Sequence, residues 1–229
     1  MEKLFEYAAA ALLLWVGYFH VWQPAQSAPP PEERREFHFP LEDGRSVRVR
    51  VTAAPGDLRA APRPHGPDYE AWFRRLHRMG KQQMGPFYAT IAREMELEGY
   101  ELDRAVLRLA QEIPYDSIPV VYRDAPSYDL FLPMVTLQEG YGDCDSKALL
   151  VASLLTHEHP VLILHGMRHV VIGLPGTPAL GDHAVEYAGQ SWLLCETTVP
   201  RPIGNLSAGV WWDVHTRKYE MFVLDGKKV

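Results

Sequence analysis

Gln138-Glu139-Gly140-Tyr141-Gly142-Asp143-Cys144-Asp145-Ser146-Lys147, followed by Ala148-Leu149-Leu150-Val151-Ala152-Ser153-Leu154-Leu155-Thr156, decides how the rest of the chain is read. The first half is a tight, glycine-bearing turn. The second is apolar nearly all round after Lys147 and stops at His157-Glu158-His159-Pro160, so a helix is expected from about 143 to 156. A helix without a polar face is a buried one. A cysteine thus stands at its N-terminal end, where free backbone N–H groups and the helix dipole favour the thiolate. There a neighbouring imidazolium can take a thiol from about 8.5 down to roughly 3.5–7.5. Asp143 and Asp145 act in the opposite sense unless they turn toward backbone amides as caps, so a histidine partner is needed.

Downstream the period changes. Residues 161–165, 169–174 and 191–198 are short apolar runs separated by Gly and Pro, as expected of strands, with Ala188-Gly189-Gln190 a turn into the third. His169 begins one such run, His-Val-Val-Ile-Gly, where an imidazole is otherwise out of place. Glu196 ends the apolar part of another, Trp-Leu-Leu-Cys-Glu-Thr-Thr, where a carboxylate needs a partner. Cys144 as nucleophile, His169 as base and Glu196 as orienter make a complete acyl-transfer set. His183, in a stretch that reads as a loop, is a rival base. The bland alternatives are a small buried hydrophobe for Cys144, a satisfied core histidine for His169 and a structural carboxylate bonded to loop amides for Glu196. The second cysteine, Cys195, lies inside an apolar run and reads as a buried strand residue.

Three segments taken in order resemble the transglutaminase-like superfamily: residues 133–146 around Gly-Asp-Cys, then His169-Val170-Val171, then Glu196-Thr197-Thr198. Ile113-Pro114-Tyr115-Asp116 is similar to the segment preceding that core, and the likeness spans roughly residues 102–204. The resemblance implies an α+β, papain-like fold with the cysteine at a helix N-terminus and the histidine and acid on adjacent strands of an antiparallel sheet. It also implies a cysteine peptidase, amidase or transglutaminase-like acyltransferase; the superfamily includes inactive modules as well. Glutamate at 196 departs from the aspartate that many relatives carry. The backbone N–H of Cys144 is the expected oxyanion donor. Gln138, six positions earlier, is similar to the glutamine that precedes the nucleophile in papain-like proteases.

Composition bounds the rest. The 229 residues, 47% hydrophobic and 23% charged, suffice for one domain with its own core plus a short appendage. A net charge of -6 without any long Lys/Arg run excludes nucleic-acid binding by phosphate neutralisation. Residues 7–22 form an aromatic-rich apolar stretch followed by Pro24, Pro29, Pro30 and Pro31, expected to be a signal peptide or membrane anchor within residues 1–28. Ala25-Gln26-Ser27 would serve as a cleavage site, while Glu2 and Glu6 weaken the positive start, so anchored and released forms both stay open. Residues 29–67 read as a hairpin turning at Asp43-Gly44 plus a proline-rich linker, and residues 68–229 as the catalytic domain. Helices are expected from 68, interrupted at Pro86, then over 87–98 and 102–113, and a last hairpin over 211–215 and 219–224.

The expectation is therefore an exported or membrane-anchored enzyme working outside the cytoplasm, in the periplasm or cell envelope of a bacterium. It would act on a peptide or protein substrate and favour hydrolysis. The alternative is a noncatalytic binding or assembly module at a membrane. No cofactor is called for, and no calcium-ligand loop is present. His157 and His159 sit two apart, and His165 and His169 flank a turn, so neither pair has the helical spacing of a metal site.

Overall fold

The computed structural model describes residues 33–40, 46–53, 59–64, 66, 68–95 and 99–225. The apolar stretch 7–22, the 25–27 site, the Asp43-Gly44 turn and much of the 53–67 linker lie outside them. Two strands, β1 (Glu33–Pro40) and β2 (Ser46–Ala53), pair antiparallel with Phe37 opposite Val49 and Phe39 opposite Val47, as the expected hairpin requires.

Helix α1 (Tyr69–Met95) starts under a cap in which the Ala71 N–H donates to Asp68 Oδ1 at 3.0 Å. It does not break at Pro86, contrary to the sequence expectation. Proline normally pushes its predecessor out of helical geometry by a clash with that residue's Cβ, and here the predecessor is Gly85. Helix α2 (Gly99–Glu112) buries Leu102, Ala105, Val106, Leu109 and Ala110, one face at helical spacing. The two-residue strands β3 (Val121–Tyr122) and β4 (Ala125–Pro126) precede a short α3 (Pro133–Glu139), which sequence left unassigned. Helix α4 (Cys144–Leu155) is the central rod, packed by α1, α2 and α3 on its outer sides and by the sheet on the other. Eleven of its twelve residues are buried, which is why it has no polar face.

The sheet is β5 (Val161–His165), β6 (Val170–Pro175), β7 (Ala184–Tyr187), β8 (Gln190–Cys195) and β9 (Glu220–Leu224), in the order β7-β8-β6-β5-β9 and antiparallel throughout. Side chains alternate faces with the expected period of two. Val161, Ile163, Val170, Ile172, Cys195 and Phe222 join the helical core, whereas Leu162, Leu164, Val171, Trp192 and Leu194 face the other side. On that second face Gly173 is required, because a Cβ there would come within 3.1 Å of both Leu162 and Trp192. The β7–β8 turn places Ala188 and Gly189 at φ 52° and 75°, the left-handed pair of a tight hairpin.

The expected strand at 211–215 is instead helical: α5 (Ala208–Thr216) lies on the second face of the sheet. Val210, Trp211 and Val214 meet the sheet at helical spacing, while Trp212 is 68% exposed, so the two tryptophans are neither a core pair nor strand residues. The described residues thus make a mixed α+β arrangement of five helices and a main antiparallel sheet. No described helix is long and apolar enough to cross a membrane.

Candidate active site

The turn before α4 is bolted from several directions. Gly140 ends α3 in the left-handed region at φ 71°, its N–H donating to Thr136 O at 3.0 Å. Gly142 forms a parallel bridge with Tyr115, donating to Pro114 O at 3.1 Å and accepting from the Asp116 N–H at 3.3 Å. That anchors the 113–116 segment beside the cysteine. Asp143 is the N-cap of α4 and accepts from the Ser146 N–H at 2.9 Å, while Ser146 Oγ accepts from the Phe131 N–H at 2.9 Å. Lys147, fully buried, donates its ammonium to Ile113 O, and burial lowers its pKa to about 8.

Cys144 is the first residue of α4, so its N–H has no intrahelical acceptor. Its side chain is largely buried; the thiol donates to Asp145 Oδ1 at 3.2 Å, and the Val170 N–H at the start of β6 faces the sulfur. The surroundings oppose the thiolate. Burial raises the thiol pKa most, Asp145 and Asp143 add to it, and only the Val170 amide works the other way. Of the two flanking aspartates, Asp143 turns to backbone as a cap and Asp145 does not. Asp145 Oδ2 instead accepts from Tyr69 OH at 3.1 Å, and burial raises its own pKa to about 6.

His169 directly precedes Val170, so the sulfur and the imidazole belong to neighbouring positions at the mouth of the β5–β6 turn, which the Gly166 N–H closes onto His169 O at 3.0 Å. Burial lowers the His169 pKa, and the charges of Glu196 and Asp213 act against that shift. Among the described residues its buried Nε2 finds no hydrogen-bond partner. Glu196, 4% exposed just past β8, accepts from the Ser207 N–H at 2.9 Å and from Thr198 Oγ1 at 3.3 Å, with Arg201 Nε at 4.0 Å. Among the described residues no hydrogen bond joins His169 to Cys144 or to Glu196. Cys144 thus meets the amide that follows His169, and Glu196, held by one loop amide and one hydroxyl, sends its charge to the imidazole. Gln138 sits half-buried on the last turn of α3, two residues before the left-handed Gly140.

His183 takes a different position. Its Nδ1 accepts from the Leu206 N–H at 2.9 Å and its ring stacks on Trp211 at 4.1 Å, which ties it to α5 on the second face. Cys195 is fully buried, its pKa pushed up to about 12 by burial, and the two cysteines are unpaired with each other. Among the described residues no cluster could hold a metal ion.

Sequence reasoning missed Tyr69, which comes from the other end of the fold, 76 positions before Asp145, and stacks on His165 with ring centroids 3.4 Å apart. No local signal marks a tyrosine at the start of an amphipathic helix as a site residue. It also missed Asp213, whose charge reaches His169 from α5, because that segment read as a strand. Comparison of the chain with protein-family models, with curated proteins and with solved structures finds no match.

Proposed function

We propose that the chain is a cysteine-dependent acyl-transfer enzyme with a transglutaminase-like, papain-like core. The observation that carries this reading is the approach of Cys144, at the head of the buried helix, to the amide of Val170 at the start of β6, the residue that follows His169. The sulfur attacks the carbonyl carbon of a peptide or amide as its proton passes to His169. The tetrahedral oxyanion is held by the unpaired Cys144 N–H, and the C–N bond breaks as the imidazolium protonates the leaving amine. Water then attacks the thioester carbon with His169 as base, releasing the acid and restoring the thiol. Glu196 and Asp213 supply negative charge that stabilises the imidazolium. No cofactor takes part in these steps. Export or membrane anchoring through residues 7–22 belongs to the same proposal, which places the enzyme in the cell envelope acting on peptide or protein.

The test is acylation by p-nitrophenyl acetate, followed by intact mass and peptide mapping. An acyl adduct on Cys144, labile to hydroxylamine, absent in Cys144→Ala and formed at least ~100-fold more slowly in His169→Ala, is the expected outcome. The second reading, a noncatalytic binding module, is favoured by one feature: the thiol holds its proton against Asp145, and among the described residues no hydrogen bond reaches His169 Nε2. It predicts no acylation at Cys144 and no effect of His169→Ala.

A further inference from the structure

The mechanism above uses Cys144, His169, Glu196 and Asp213 and leaves unexplained why a further carboxylate, Asp145, lies directly on the sulfur. Asp145 divides its two oxygens between donors from different elements, Oδ1 taking the thiol at 3.2 Å and Oδ2 the phenol of Tyr69 at 3.1 Å. Tyr69 is itself fixed by its stacking on His165 of β5 and by Phe73 at 5.5 Å. A carboxylate pinned by a rigid phenol cannot swing away to cap the helix as Asp143 does, so its charge stays on the sulfur.

We infer that Tyr69 and Asp145 are positioning residues that latch Cys144 as a neutral thiol until the reacting carbonyl arrives. The latch rests on the reading of Cys144 as the nucleophile. It keeps an exposed-side oxidant from meeting a standing thiolate, since the anion is the species that oxidises. Transfer of the thiol proton to His169 then requires only that the sulfur turn from one acceptor to another. The other groups facing this locus are Asp143 beside it, Asp129 acting on both aspartates, and Tyr115 and Tyr219, both of which sense charge on Cys144. Behind Tyr69, His165 lies 3.9 Å from Glu220. Among the described residues the side chains that donate to Asp145 are those of Cys144 and Tyr69.

Iodoacetamide alkylation of the full chain, followed at Cys144 by peptide mapping from about pH 5 to 10, reads the latch directly. Asp145→Asn is expected to lower the pH midpoint and raise the rate at pH 7 by ~10-fold or more. Tyr69→Phe should act in the same direction by ~3-fold, because the carboxylate loses its anchor. Asp143→Asn removes an equal charge at the other flank and should change the rate less than Tyr69→Phe does. Equal shifts in Asp143→Asn and Asp145→Asn, or an unchanged midpoint in both Asp145→Asn and Tyr69→Phe, overturn the latch. Because Tyr69→Phe and Asp145→Asn break the same contact from opposite sides, one folded variant is enough. His169→Ala separates the two ideas: loss of acylation there with no effect of Asp145→Asn retains the enzyme and overturns the latch. Faster alkylation in Asp145→Asn with no acylation in any variant retains the latched thiol and overturns the enzyme.

Discussion

At its N-terminal end α4 carries a thiol whose ionisation is opposed both by burial and by the carboxylate of Asp145, which burial itself disfavours. At its C-terminal end a polar set is matched donor to acceptor around Thr156, although among the described residues Ser153 Oγ and His157 Nε2 stay buried without a hydrogen-bond partner. There Thr156 Oγ1 donates to Ala152 O at 2.8 Å and so accepts from His77 Nε2 at 2.8 Å; burial holds His77 neutral, with a pKa of about 4. Lys81 donates to Thr156 O at 2.6 Å, which satisfies a helix-end carbonyl with a cation. His159 donates to Pro160 O at 3.0 Å and bonds Asp103 at 2.7 Å, and His157 stacks on Tyr88. One end of the helix is built for stability and the other against it, as expected when a reactive group is held in place by a fold that would be more stable without it.

The sharpest way to break this contrast is to neutralise each end. Asp145→Asn should stabilise the protein by about 1–3 kcal/mol at pH 7.5, measured by denaturant unfolding. The sign follows from the raised pKa: the contribution of Asp145 is favourable below its ordinary value of 3.8 and is lost as pH rises through about 6, so the gain disappears below about pH 4. At the other end Thr156→Val should cost about 1–3 kcal/mol, because it removes the hydroxyl that bonds both His77 Nε2 and Ala152 O, and should leave the alkylation profile of Cys144 unmoved. Asp103→Asn should cost about 1 kcal/mol near pH 5.5 and less by pH 8. Asp103 raises the His159 pKa above its ordinary value of 6.5 despite burial, so that stability is present below 6.5 and lost as pH climbs through the raised value. Tyr88→Phe, at an exposed pair with Glu158, should change stability by under about 0.5 kcal/mol in thermal unfolding. A destabilised Asp145→Asn, or a Thr156→Val that alters thiol reactivity, would dissolve the distinction between the ends.

The parts of this arrangement that sequence revealed are those written in periodicity and caps. The Asp143 cap, the buried helix and the strand runs at 161–165 and 169–174 follow from local patterns, and the structure keeps them within a residue or two. Where two local signals compete, reading fails: Pro86 announces a break that Gly85 cancels, and Trp211-Trp212 in a short segment satisfies helix and strand patterns alike. His183-Ala184-Val185 lacks apolar contrast because β7 is an edge strand, so it read as a loop. The site's second carboxylate was visible as a charge, but its orientation was not, since Tyr69 fixes it from another helix. Glu196 was legible as a carboxylate in need of partners, and those partners, Ser207 and Thr198, lie in a loop without a pattern of its own.

Strand β5 pairs with β6 on one side and β9 on the other, Ile163 standing opposite both Ile172 and Phe222. During synthesis its second edge stays open until residue 224 has left the ribosome, roughly 3–12 s after residue 165 at ~5–20 residues per second. For that interval Val161-Leu162-Ile163-Leu164 offers unpaired amides to any neighbouring chain, the condition for edge-to-edge aggregation. Tyr219, whose ring lies against Gly166 beside the His169 turn, arrives with the same closing strand. A nascent chain therefore becomes safe from its neighbours and acquires a finished thiol pocket at one moment, so yield on expression and the native pH profile of Cys144 alkylation should rise and fall together.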